Sequence, residues 1–420
     1  MKILVLSSLV PVEDQKFYDS SSKGMIANSS NAFQQGLFLS PVLSRENEVT
    51  IFTCPAIGSY PRLFTKIFSK ESYHESEGVR IYSVRFFNFT VLKQISISLK
   101  LMSSIFRYSL RGERGDVVIC YSLLPSYTSV AMFLKKTILK KSKFIFIVPD
   151  LPKFFDAPSK SILKKILQKI NIIVADYFSG AADGYIFFSV QMSMEKKFKN
   201  KPYIVMEGIY NPIEADLDKF ELDLYKKFEN LTQGCRTILY TGSIDLRFGL
   251  GDLVSAFARI EQKDIRLVVC GSGSGLSEFL KLIEKNKRII YCGAVSRAMS
   301  LVMQKKATVL VNPRRADEEY TKYSFPSKTL EYLASSRPVV MYLLPGMPIE
   351  YVKYINTPAD GSIDSLASKL AEVALDTGGE FLDRAISAAE FIKNNKTSNA
   401  QSSKIETFIR GLVNNGGEIL

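Results

Sequence analysis

Short unbroken apolar runs alternate with longer stretches in which apolar side chains recur every three or four positions, through both halves of the chain. A strand buried on both faces reads as a continuous apolar run and a crossover helix as a 3.6-residue period, so the pattern predicts doubly wound parallel sheets. The expected strands of the first half are Ile3–Ser8, Glu48–Phe52, Val117–Tyr121, Lys143–Pro149, Gly184–Ser189 and Tyr203–Met206. A polar, charged, helix-like segment follows Asn211 and Pro212, and the alternation restarts at Thr237–Tyr240. Arg266–Cys270, Arg288–Cys292, Ala307–Val311 and Pro338–Tyr342 complete the second set. The boundary is expected near 206–216, giving an N-terminal domain over 1–209 and a C-terminal domain over 210–399. A last helical pattern, Ser402–Val413 within a stretch of about 400–420, can close back over either domain, and the first is the expectation. The apolar start, Met1–Val10, is preceded only by Lys2 and followed by Glu13 and Asp14, which reads as a first buried strand and not a signal peptide.

A chain of 420 residues suits two such domains, and no apolar run is long enough to span a bilayer. Cys54, Cys120, Cys235, Cys270 and Cys292 lack C-x-x-C spacing and lie in or beside apolar runs, so reduced core thiols of a cytoplasmic protein are expected. The one histidine, His74, sits in a polar stretch that reads as a loop, which argues against a zinc site or a histidine-based triad. No metal is expected. The net charge of +13 is unevenly spread, with 28 Lys+Arg against 16 Asp+Glu in residues 1–210 and 27 against 26 in 211–420. A basic half beside a neutral one fits attraction to an anionic membrane surface, with no nucleic-acid partner expected; solvated charge without a partner is the plainer alternative.

Much of that charge is interleaved with apolar positions. In Ser161–Phe178, Ile162, Leu163, Ile166, Leu167, Ile170, Ile173 and Val174 recur at helical spacing, with Lys164, Lys165 and Lys169 between them. Lys135, Lys136, Lys140, Lys141 and Lys143 lie upstream, and Phe64, Ile67 and Phe68 alternate with Arg62, Lys66 and Lys70 in an expected mobile loop. A basic amphipathic helix suits either an anionic lipid surface or ordinary packing on the sheet, and both hold if only the lysine edge touches lipid.

The candidate chemistry lies mostly in the second half. Ile238–Phe257 reads as strand, glycine-rich turn and helix: Gly242 permits close approach of backbone to a ligand, Asp252 is placed to cap a helix begun near Gly251, and Arg247 is a candidate for pairing with a diphosphate. Cys270-Gly-Ser-Gly-Ser-Gly275 superficially resembles a dinucleotide fingerprint, but Leu276 breaks the G-x-G-x-x-G spacing; Gly271 at its head is kept as a candidate donor contact. Tyr291-Cys-Gly-Ala-Val295 ends the next strand, where the amides of Gly293 and Val295 are candidates for reading a base. Leu310-Val-Asn-Pro-Arg-Arg ends another strand, and in Tyr323-Ser-Phe-Pro-Ser-Lys-Thr-Leu-Glu331 the proline opens a helix. Arg314, Ser327, Lys328, Thr329 and the first amides then face a phosphate, and Glu331 can accept hydrogen bonds from ribose hydroxyls; the alternative is an ordinary first-turn surface pair.

From about 235 to 352 the pattern resembles the family 4 glycosyltransferases of the GT-B fold. The stretch Ser324–Val340, with Pro345-Gly-Met-Pro348 behind it, looks like the members that assemble bacterial polysaccharides. The resemblance implies an α/β protein with two Rossmann-like domains facing a central cleft, a nucleotide sugar in the C-terminal domain, ribose binding by Glu331, and diphosphate binding by the loop before it. The sequence departs from the family where the first of its two glutamates falls at Tyr323, and where its cations after the first strand of the domain fall at Ser243 and Phe248. Arg247, Arg314 and Lys328 are the candidates to replace them. In the first half, Ser20–Gln35, with Gly24 and Asn28, resembles the loop that faces the donor phosphates. Asp150 in Phe146-Ile-Val-Pro-Asp150 occupies the strand end where many members carry a histidine; Glu207 lies in a segment that resembles the end of the N-terminal domain, and with Asn28 it is expected to face the acceptor side of the cleft. A carboxylate at Asp150 can orient or deprotonate an acceptor hydroxyl, or merely cap the next turn.

The expectation is therefore a retaining hexosyltransferase that needs no cofactor. Its donor is a nucleotide sugar, with UDP the expected nucleotide; its acceptor is a lipid-linked saccharide at the inner membrane face. Asp150, Arg247 and Lys328 are the candidates for catalysis, and rate comes from positioning and from charge on the leaving diphosphate. A sugar-nucleotide epimerase or phosphorylase on the same fold, and a silent nucleotide-binding scaffold, are the alternatives.

Overall fold

The computed structural model describes residues 1–23, 28–90, 92–154, 162–212 and 217–414. The chain divides into two compact units, one formed by Met1–Ile209 with the helix Ser398–Asn414, the other by Tyr210–Thr397.

The first unit is built on an eight-stranded sheet of β1 (Lys2–Ser7), β2 (Glu48–Thr53), β3 (Ser72–Ser76), β4 (Val79–Ser83), β5 (Val117–Tyr121), β6 (Lys143–Val148), β7 (Gly184–Phe187) and β8 (Tyr203–Val205). Their order is β3-β4-β2-β1-β5-β6-β7-β8, and every pairing is parallel except β3 with β4. The central strands are wholly buried, as their unbroken apolar runs require. Strands β3 and β4 form an edge hairpin that the apolar pattern hides, because β3 reads Ser-Tyr-His-Glu-Ser. Its turn, Glu77-Gly78, has positive φ at both residues, the geometry that matches strand twist in a two-residue hairpin. His74 therefore lies on a strand and not in a loop, its Nε2 3.3 Å from Oδ2 of the buried Asp14.

One further expectation changes here, and an open choice is settled. Phe64 is wholly buried, and its loop is tied down by Thr65 N–H donating to Ser21 and Asn88 N–H to Ile67, so it is not a free-standing segment. The final helix packs on the first unit: Ile405, Ile409 and Leu412 enter its core, and Arg410 pairs with Glu46.

The second unit carries a five-stranded parallel sheet, β9 (Arg236–Thr241), β10 (Ile265–Cys270), β11 (Ile289–Tyr291), β12 (Val309–Asn312) and β13 (Val339–Met341), in the order β11-β10-β9-β12-β13. Chain direction across the sheet reverses between β9 and β12, and in open α/β sheets ligands bind beyond the carboxyl ends of the strands at that point. Helices cover both faces, with Val268 and Leu310 facing one core and Leu267 and Val309 the other.

Candidate functional site

The loops beyond β9, β10, β11 and β12 carry most of the residues singled out in the second half. They press on each other backbone to backbone. Gly271, just past β10, has φ +145°, and a Cβ on it would lie 1.7 Å from the carbonyl oxygen of Gly242 past β9. Its amide donates to the carbonyl of Gly293 past β11 at 2.7 Å. Gly242 and Gly271 thus hold two strand ends in contact, and Val295 packs against the core below. Asp252 does not cap the helix Leu250–Ala258, whose N-cap is Gly249; it lies in the first turn and pairs with Arg315 at 3.2 Å.

Glu331 lies in the first turn of the helix Lys328–Ala334, with its side chain 13% exposed. Arg297 Nε donates to Oε1 at 2.9 Å and Lys328 Nζ to Oε2 at 2.8 Å. Burial alone would raise the carboxyl, but Lys328 and then Arg297 outweigh it and hold the pKa below the ordinary glutamate value. Each oxygen keeps a lone pair, so a carboxylate fixed in this way can still accept from a pair of hydroxyls. Arg297, which also donates to the carbonyl of Asn211 at 2.8 Å, is the functional candidate that sequence reasoning missed. The available signal was Ser296-Arg297 opening the helix that follows β11, with Ser296 accepting from the Met299 amide.

The three cations proposed for a diphosphate are in different states. Arg247 is clamped by Asp245, its Nη2 2.6 Å from Oδ2, which raises the arginine pKa and lowers that of Asp245. Lys328 is shared with Glu331. Arg314, just past β12, stacks on Phe248 at 4.3 Å and forms no ion pair among the described residues; burial lowers its pKa, and its Nε has no hydrogen-bond partner. Ser324 Oγ, on the loop that follows, and Thr329 Oγ1, on the helix after it, are also buried without partners among the described residues. Unsatisfied buried polar atoms cost about 1–3 kcal/mol each, so these three atoms, on the loops past β12 and the helix that follows, leave hydrogen-bonding capacity unused. Ser327 is exposed, and its side chain leaves the first amides of the helix uncapped.

In the first unit, Asp150 follows β6 and is accessible, yet crowding protein partly desolvates its carboxyl and raises its pKa. It makes no side-chain hydrogen bond among the described residues, which removes the turn-capping reading. Glu207 lies just beyond β8 and is buried. Gly24 and the side chains of Asn28 and Lys164 lie outside the described residues. Lys165 and Lys169 are exposed on the helix Ile162–Ser179. Among the described residues no group of three or more His, Cys, Asp or Glu is placed to hold a metal ion, and no helix is long and apolar enough to cross a membrane.

Residues 235–376 match the family model of glycosyl transferases group 1. No curated protein sequence matches the chain. Among solved structures, sucrose-phosphate synthase from Thermosynechococcus elongatus superimposes with a TM-score of 0.69 at 15% identity, over 98% of this chain and 99% of that one. The E. coli trehalose-6-phosphate protein bound with UDP-2-fluoro glucose gives 0.63 at 11% identity, over 98% and 99%. Anabaena HepE in complex with UDP gives 0.60 at 13% identity, over 98% and 100%. Such identities speak for the fold: two Rossmann-like α/β units, matched end to end by these structures and carrying a glycosyl transferases group 1 pattern in the second, make this a chain of the GT-B fold.

Proposed function

We propose that the chain is a glycosyltransferase that takes a hexose from a UDP-linked sugar in its second unit and passes it, with retention of configuration, to a lipid-linked saccharide served by the first unit at the inner face of the membrane. The observation that carries this reading is Glu331, fixed between Arg297 and Lys328 in a first helical turn, within the segment that matches the group 1 model. In this reading Glu331 accepts from the ribose hydroxyls. Arg314, with no carboxylate partner among the described residues, meets the diphosphate, joined by Lys328 and the outer edge of Arg247. Their charge stabilises the leaving group as the glycosidic bond breaks. Asp150, with its raised pKa and free carboxylate, takes the proton of the acceptor hydroxyl. UDP bound to HepE and UDP-2-fluoro glucose bound to the E. coli protein support a uridine nucleotide donor on this fold. The basic first half and the exposed Ile166, Ile170, Ile173 and Tyr177 beside Lys165 and Lys169 support a membrane-bound acceptor.

The test is ligand-induced thermal stabilisation with UDP-, GDP-, dTDP- and CMP-sugars. A ligand at about one hundred times its dissociation constant adds roughly 2.7 kcal/mol of stability. UDP-sugars are expected to stabilise the parent and not Glu331→Ala. Saturable binding with no turnover on any acceptor would turn the reading into a nucleotide-binding scaffold, and no response from a folded parent would remove the donor site altogether.

A further inference from the structure

Away from these strand ends, the first unit holds a cavity of about 790 Å³ between the β3–β4 hairpin and the helix Lys93–Leu110. Arg85, Lys100, Arg107 and Arg111 line it against a single carboxylate, Glu71. None of the four cations forms an ion pair among the described residues, and Arg85 lies over the ring of Phe68 at 4.6 Å. Four exposed cations gathered round one cavity give it a positive potential that attracts an anion. The wall also holds Ser83, 2% exposed, whose Oγ has no hydrogen-bond partner among the described residues. A buried hydroxyl of this kind is a donor without an acceptor. Around it the wall is aromatic, with Phe52 and Tyr82 stacked at 5.2 Å and Tyr108 beside them.

The outer face of the same helix is apolar. Ile95, Leu99, Phe106 and Leu110 are exposed, Leu99 to 63% and Leu110 to 71%. One residue further round, Lys100, Arg107 and Arg111 turn to the cavity. This helix packs against Pro125–Thr137, which packs against Ile162–Ser179, and the two neighbours add exposed Phe133, Ile166, Ile170, Ile173 and Tyr177. Three adjoining helices thus leave large apolar side chains in contact with water, interleaved with basic residues, the pattern of a surface that sinks into the headgroup region of a bilayer.

We infer that this cavity binds the phosphate headgroup of an anionic lipid, with its hydrocarbon lying along the Leu99–Leu110 stripe. The inference deepens the acceptor part of the proposed function and rests on it in choosing a lipid over a soluble phosphate. The cations neutralise the phosphate, Ser83 Oγ donates to one of its oxygens, and the stripe explains why exposed leucines border a charged pocket.

The test is co-sedimentation with phosphatidylcholine vesicles containing phosphatidic acid, with the UDP response of every variant measured alongside. The parent is expected to bind. Arg107→Ala with Arg111→Ala should weaken binding about thirtyfold, Leu99→Ser with Leu110→Ser about tenfold, and Ser83→Ala about fivefold. Lys281→Ala with Lys285→Ala, on the second unit, should change nothing, and the UDP response should survive in all of them. Vesicle binding insensitive to Ser83→Ala and to the arginine pair would mean general surface charge and overturn the inference. Inorganic diphosphate bound as tightly as the vesicles, with no effect of the leucine pair, would overturn the lipid. A parent stabilised by UDP that ignores the vesicles sinks the lipid site and leaves the donor reading standing; the reverse result keeps the lipid site and sinks the donor reading.

Discussion

Two carboxylates of opposite character carry the residue-scale expectations. Glu331 is held below its ordinary value of 4.5, so the stability its ion pairs contribute is complete above that pH and is lost as pH falls through the lower folded value. Glu331→Gln should cost about 1–3 kcal/mol at neutral pH by leaving Arg297 and Lys328 partly unpaired, and the difference should shrink in acid, as urea unfolding over a pH series would read out. For Asp150 the sign reverses. Its folded pKa lies above the unfolded 3.8, so the folded state binds the proton more tightly and loses stability as pH rises through the folded value. Asp150→Asn should therefore melt higher than the parent at neutral pH, with the gain vanishing below about pH 3.8, while kcat falls about 10²–10⁴-fold. A gain in stability coupled to loss of turnover marks a group kept for chemistry; no change in either would remove Asp150 from the mechanism. Glu331 and Lys328 were legible in one short motif, three residues apart on a helix. Arg297, 34 residues upstream of Glu331, was not, because spacing along a chain says nothing about contacts between different helices.

At the scale of elements, the parallel strands announce themselves because burial on both faces demands an unbroken apolar run. The β3–β4 hairpin escaped because an edge strand needs only alternate apolar positions, and β3 supplies few. The glycines past β9 and β10, candidates for contact with a donor, also press on each other. Gly271→Ala would set a Cβ against the Gly242 carbonyl at a φ that side chains rarely adopt, and should destabilise the second unit by at least about 2 kcal/mol. An equilibrium unfolding midpoint close to that of the parent would mean the loops can part freely, against the packing described.

For the whole molecule, two compact units, each with core residues of its own, predict that unfolding is not a single step. Differential scanning calorimetry should resolve transitions of which only the one containing the second unit moves upward with UDP, since the residues proposed to bind nucleotide lie within Tyr210–Thr397. A uniform shift of a single transition would show that the two units unfold as one.

The amino-acid sequence by itself determined the α/β class, the parallel strands and the helix-opening motif around Lys328 and Glu331 that is proposed to bind nucleotide, because burial, helix entry and local hydrogen bonding act over a few neighbouring residues. Tertiary structure alone decided which cations are free and which are clamped, that Phe64 is core, that the last helix joins the first unit, and that Ser83, Arg85, Lys100, Arg107 and Arg111 surround one cavity. These depend on which surfaces meet when distant segments pack, and the charge of a side chain in the sequence does not reveal what it will face.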